Sequence, residues 1–227
     1  MRRYAVCDKL AIIHTTPLTV DPLKALAAEL LPGVVVVNFV DDSILPQLAE
    51  NGGQVHKVAP RLVQYGRFAE EVGAHALLSA CSSVGEVASE MQRAVRIPVV
   101  RIDEAMAEEA VRRGGQVGVA ATLQTTLRPT LALLSAKAQE ARREVRLESL
   151  CVSEAYQRLA AGDRDGHDIL LADALGSFAA RVDTVVLAQA SMARVLSRVP
   201  QALHEKFLTS PRLGLARVRD VLAAVRA

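Results

Sequence analysis

A chain of 227 residues, 51% of them apolar, is long enough to bury one large core or two small ones without disulfide staples. Its formal charge is +2, and its acidic and basic residues are interspersed, which argues against a nucleic-acid partner. No stretch approaches the ~20 apolar residues needed to span a bilayer, so a membrane is not expected as a partner either.

At the start, Met1-Arg2-Arg3 is basic, and Leu10-Ala11-Ile12-Ile13 is too short for the apolar centre of a secretion signal. Cys7-Asp8-Lys9 separates the two, and a cytoplasmic, soluble protein is the expectation. Leu10 to His14 reads as a strand, and Asp21-Pro22 then opens a helix to Leu30, with Asp21 as cap. Pro32-Gly33 stops that helix, and Val34 to Asn38 is a strand. The unbroken apolar character of this strand predicts burial on both faces. After a polar loop at Asn51-Gly52-Gly53, a helix runs from about Pro60 to Val72. A strand over Ala76 to Ala80 follows, then a helix from Val84 to Val95 and a strand at Ile97 to Val100.

The alternation then restarts. Gln116 to Ala120 is a strand, Thr125 to about Arg143 a helix, and Val145 to Leu150 a strand. His167 to Arg181 is a helix, Thr184 to Ala188 a strand, and Met192 to Val199 helical. A last helix, about Leu213 to Arg226, is free to return over the first half. Strand and helix in alternation imply right-handed crossovers, hence an α/β class with parallel sheets flanked by helices. The restart near residue 100 divides the chain into two α/β domains, 1–100 with about 208–227, and 101–207.

Ligands of open parallel sheets bind beyond the carboxyl ends of the strands. The residues there are rich in small polar side chains. His14, Thr15 and Thr16 follow the first strand, and Asn38, Asp41, Asp42 and Ser43 the second. Cys81, Ser82 and Ser83 follow the third; Thr122, Thr125 and Thr126 follow the first strand of the second half, and Gln189 and Ser191 a later one. Each alone is an ordinary helix cap. Their recurrence at strand ends, beside free helix N–H groups, suits carboxylate oxygens. Neither GxGxxG nor GxxxxGKS/T occurs, so the pattern fits a small anion and not a nucleotide.

Three cysteines lie far apart with no CxxC pair, which predicts neither a disulfide framework nor a zinc site. Ser83 and Glu86 have capping-box spacing, which places Cys81 two residues before a helix cap, near a positive helix end that favours the thiolate. Burial as an inert core thiol is the competing reading for Cys81, and the one adopted for Cys7 and Cys151.

Three segments carry a resemblance. Ala80-Cys81-Ser82-Ser83-Val84-Gly85 is similar to the first cysteine motif of the aspartate/glutamate/hydantoin racemase superfamily, and the stretch Gly118 to Thr126 resembles its central threonine motif. Asp183 to Met192 is similar to the segment that carries the second cysteine, and the three come in family order. The resemblance implies two pseudo-symmetric Rossmann-like domains with the active site in the cleft between them. It implies a reaction that needs no metal or organic cofactor, and a homodimer or higher homo-oligomer. It also implies that Cys81 is one of two acid/base thiols acting at the α-carbon of a small carboxylate substrate. Ser82, Ser83, Thr122, Thr125 and Thr126 match positions near those used for binding; His14, Thr15, Thr16 and Asp42 are carried only by their place at strand ends.

Where the second cysteine belongs, this chain has Gln189, whose amide has no proton to exchange near neutral pH. One thiol with an amide donor suits decarboxylation of the arylmalonate type, one-base isomerisation or enolisation better than inversion. Gln189 and Ser191 then become candidate donors to a developing oxyanion. A carboxylate-binding protein that has lost the chemistry is the non-enzymatic alternative. Arg128 and Arg194, early in their helices, are expected to face solvent.

Overall fold

The computed structural model describes residues 8–226, so Cys7 and the basic start lie outside the described residues. Contacts divide the chain into two compact units, one running to Ile102 and resuming at Pro211, the other Asp103–Ser210.

In unit 1 the strands are β1 (Lys9–His14), β2 (Val35–Val40), β3 (Ala76–Ser79) and β4 (Val99–Arg101), all parallel, in the order β2-β1-β3-β4. Their helices are α1 (Val20–Leu30), α2 (Ile44–Glu50), α3 (Ala59–Glu71) and α4 (Ala88–Ala94). Alternate residues of the central strands serve opposite faces. Leu10, Ile12, Ala76 and Leu78 pack with Leu23 and Ala27 of α1. Ala11, Ile13 and Leu77 pack with Leu48, Leu62 and Met91 of the other three helices. Each fully buried aliphatic side chain contributes roughly 1.5–3 kcal/mol, well above an exposed ion pair, so these two layers hold the unit together.

In unit 2, β5 (Gly115–Ala121), β6 (Val145–Cys151), β7 (Thr184–Leu187) and β8 (Phe207–Thr209) repeat the pattern in the order β6-β5-β7-β8, again all parallel. Its helices are α5 (Glu104–Arg113), α6 (Gln124–Glu140), α7 (Ser153–Ala160) and α8 (Arg164–Ala179). Leu171, Leu175 and Phe178 of α8 pack on Ala120, Val185 and Leu187, while α5 lies against β7 and α6 against β5. The last helix, α9 (Ser210–Arg226), covers a face of unit 1, where Leu215, Val218 and Leu222 join Leu10, Ile12 and Val100.

The strand expected to be buried on both faces is an edge strand. β2 has one neighbour only, and Val35 and Val40 at its ends are 48% and 43% exposed. Its valines follow strand propensity and not central position. The first helix also begins before Asp21: Thr16 accepts from Leu18 N–H and caps a short 3-10 turn, Pro17–Thr19, that runs into Val20. Among the described residues, no helix is long and apolar enough to cross a membrane.

Gly118 in the middle of β5 marks a close approach. A Cβ there would lie 2.6 Å from Cε1 of Phe178 and 3.0 Å from Val182 Cγ2. Phe178 is a fully buried ring of α8 and cannot retreat. Gly118→Ala is therefore expected to overpack the sheet and lower stability by about 1–3 kcal/mol, seen as a lower midpoint in urea unfolding with unchanged slope.

Candidate active site

In each unit the strand order reverses beside the first strand, between β1 and β3 and between β5 and β7. Successive crossovers leave such a pair in opposite directions, so the loops at their carboxyl ends part and open a crevice.

In unit 1 the residues that stand at this place are Thr15 and Cys81. Ile13 pairs with Ser79, and two residues further on the Thr15 hydroxyl donates to Cys81 Sγ. The N–H groups of Ser83 and Val84 and the Ser83 hydroxyl also donate to the sulfur. Burial pushes the thiol above its usual value, and these four donors, which favour the thiolate, do not offset it. The expectation of a thiolate favoured by a helix end is thus corrected. Cys81 itself is the extended residue that precedes a 3-10 turn over Ser82–Val87; no capping box forms at Ser83, and α4 begins only at Ala88. Local N–H groups take the place of a helix dipole.

His14 is wholly buried, with Nδ1 2.8 Å from Thr19 Oγ1 and Nε2 2.9 Å from Asn38 Oδ1. Burial lowers its pKa against the opposing Asn38 hydrogen bond, so the ring is neutral and both its nitrogens are engaged inside unit 1. Ser82 and Ser83 are buried beside the thiol, Thr16 is half-buried, and Asp42 is exposed. Its neighbour Asp41 takes the contacts instead, from Ser43, Tyr65 and Arg61. Arg101 was missed. It ends β4, and its guanidinium lies over Gly85 so closely that a Cβ there would collide with Nε. The strand-end rule, applied to the fourth strand as to the other three, would have found this cation beside the cysteine loop.

Unit 2 repeats the arrangement with different chemistry. Ala120 pairs with Leu187, and two residues further on stand Thr122 and Gln189. The Thr122 N–H and hydroxyl both donate to Gln189 Oε1, at 2.7 and 2.9 Å. Thr126 is buried on the first turn of α6, whereas Thr125 and Ser191 are half-buried. Arg128 and Arg194 are both exposed, as expected, but Arg194 is paired. Its guanidinium grips Asp168 of α8 through both nitrogens, each 2.8 Å from a carboxylate oxygen, and Asp168 Oδ1 lies 2.6 Å from His167 Nδ1. Met192 and Val195, buried against the α8 side chains, complete the anchor of the 3-10 segment Ala190–Arg198 that begins right after Gln189. No periodicity announced this pairing, because its partners lie in separate elements. Cys151 ends β6, half-buried, with Sγ 3.4 Å from Ser153 Oγ, and is not the core thiol expected.

Two comparisons place this architecture among known proteins. The family model described as Asp/Glu/Hydantoin racemase matches residues 13–218. The glutamate racemase of Francisella tularensis, in complex with D-glutamate, superposes with a TM-score of 0.73 at 16% identity, over 97% of this chain and 82% of that one. The aspartate racemase of Picrophilus torridus gives 0.73 at 12% identity, over 95% and 94%. The allantoin racemase of Klebsiella pneumoniae gives 0.63 at 16% identity, over 96% and 88%. These likenesses are of fold. Among curated proteins, none matches the chain by sequence.

A half-buried thiol whose pKa desolvation has raised holds its proton more tightly folded than unfolded. Its contribution to stability is present below the ordinary thiol value and is lost as pH climbs through the folded one. Alkylation of Cys81 by iodoacetamide, followed by peptide mass, is expected to accelerate with pH about a midpoint above that of a free thiol. Thr15→Val, which removes one donor to the sulfur, moves that midpoint higher still. A midpoint at the free-thiol value would contradict the burial argument.

Proposed function

Because the chain belongs to the Asp/Glu/hydantoin racemase family, we propose that it moves a proton at the carbon next to the carboxylate of a small acid, with Cys81 as acid/base group and without metal or organic cofactor. The observation that carries the assignment is the setting of Cys81 at the strand-order reversal of unit 1, its sulfur met by Thr15, Ser83 and Val84. An α-proton is a weak acid, so its base must be strong. Burial raises the basicity of the thiolate, and the waiting donors lessen the cost of forming it. Ser82, in the loop that carries the thiol, supplies a further hydroxyl for the carboxylate. Amino acids with a second acidic group are the substrate class to try first, since the Francisella tularensis relative holds D-glutamate.

Gln189 favours a second reading. The family resemblance puts a cysteine at this position; an amide there donates hydrogen bonds but transfers no proton. With one thiol, proton return on the face from which a carboxyl group left, as in decarboxylation of a malonate-type diacid, is the alternative to racemisation.

Incubation with each enantiomer of aspartate and glutamate in deuterated water, read by proton NMR, separates the readings. Racemisation gives both enantiomers labelled at the α-carbon, whereas a malonate-type diacid supplied instead yields carbon dioxide and a monodeuterated product. Cys81→Ala is expected to lower either rate by at least about 10²-fold, the usual worth of a positioned acid/base group. Unimpaired turnover in that variant sinks the assignment, and tight carboxylate binding with no turnover in the parent protein marks a binding protein instead.

A further inference from the structure

The two units use the same backbone device to aim two different groups. In each, the threonine two residues past the β1–β3 or β5–β7 register pair reaches the residue that leaves the third strand. Thr15 donates to Cys81 in unit 1, and Thr122 donates to Gln189 in unit 2. Gln189 is therefore the internal counterpart of the thiol by strand register.

Its orientation follows from the donors that hold it. A backbone N–H can only donate, so the atom 2.7 Å from Thr122 N must be the amide oxygen and not the amide nitrogen. The Thr122 hydroxyl occupies the second acceptor site of that oxygen at 2.9 Å. A flipped amide would set N–H against the Thr122 N–H and lose the 2.7 Å bond, so that bond fixes the orientation. Among the described residues, Gln189 Nε2 has no hydrogen-bond partner and is not sealed from solvent. The side chain thus presents donors only, at the carboxyl end of the unit 2 sheet, and its acceptor is spent.

We propose that Gln189 Nε2 is a fixed hydrogen-bond donor to an anionic oxygen of the substrate, a carboxylate or the enolate formed when the α-proton leaves, and that Thr122 is the positioning residue that holds it. The proposal rests on the proton-transfer reading for the enolate, whereas the carboxylate contact stands without turnover. A donor already aimed needs no reorganisation as charge develops, which is the condition for stabilising an oxyanion. An unheld amide would present its oxygen to the same anion in half of its orientations. The group selects for negative oxygen and against an ammonium or amide N–H.

Two measurements test it. In the side-chain amide region of a proton–nitrogen spectrum, the Gln189 pair is identified by its disappearance in Gln189→Glu. Titration of the parent protein with malonate is expected to move that pair, and Gln189→Glu, which keeps the bonds from Thr122 but presents a carboxylate oxygen, is expected to weaken malonate at least tenfold. An amide pair that stays in place across the titration overturns the donor role, whatever the enzyme turns over. On the substrate found to exchange its α-proton, Gln189→Glu is expected to lower kcat by about 10²–10³-fold, beyond the rise in KM that the weaker malonate binding implies. Thr122→Val is expected to cost roughly tenfold in kcat, with Thr122→Ser restoring it, because the hydroxyl supplies one of the two bonds on Oε1. Equal kcat in the parent, Gln189→Glu and Thr122→Val overturns the enolate contact while leaving the role of Cys81 intact. Absence of exchange from every substrate removes the proton-transfer reading and leaves the malonate titration to decide the donor.

Discussion

The candidate site depends on the parallel pairing of two neighbouring strands from which the chain departs in opposite directions. A parallel pair must be joined by a crossover, and where strand order reverses, successive crossovers lie on opposite faces of the sheet. The loops at the two strand ends then turn toward opposite faces of the sheet, and the place where they diverge is where ligands of such sheets bind. β1 with β3, and β5 with β7, meet this condition. Because register fixes which residues stand level, a threonine in one loop reaches a chosen residue in the next. The chemistry of each crevice reduces to the identity of that residue, a thiol in one and an amide in the other.

At Cys81 two opposing effects of similar kind can be ranked. Four donors around the sulfur favour the thiolate, and burial favours the thiol; burial prevails. The balance suits a base that has to be strong and is used transiently. A more exposed thiol with the same donors would ionise readily and be a weaker base, since basicity falls with pKa. His14 follows the same logic without joining the chemistry described for the thiol. Its neutral ring ties the end of β1 to Asn38 on β2 and to the turn before α1, and so steadies the loop from which Thr15 projects.

Much of this was legible in the sequence where a single period governs a segment. β1, β3, β5 and β7 are short runs of buried aliphatics, and their limits follow the apolar pattern closely. β2 has the same composition yet lies at an edge, because composition reports strand preference and not how many neighbours the strand will have. α2, α5 and α7 escaped notice since each is short and half-polar, and β8 spans only Phe207–Thr209. The capping box at Ser83 and Glu86 failed for a local reason: Val84 adopts a non-helical conformation and the helix is deferred to Ala88. Cys81, Thr122 and Gln189 could be chosen from their place after strands, but their partners could not. The bond from Thr122 to Gln189 and the grip of Arg194 on Asp168 join residues far apart in the chain, and nothing in a local pattern encodes them.

The return of α9 to the first sheet has a consequence for the order in which the protein is made. Unit 2 is one continuous stretch, whereas the core of unit 1 lacks Leu215, Val218 and Leu222 until α9 arrives. During synthesis the amino-terminal strands emerge first, but one face of their sheet has only α1 to cover it while all of unit 2 is translated. The later unit is thus the earlier one able to close, and the apolar face of the first sheet is completed only once α9 has been made.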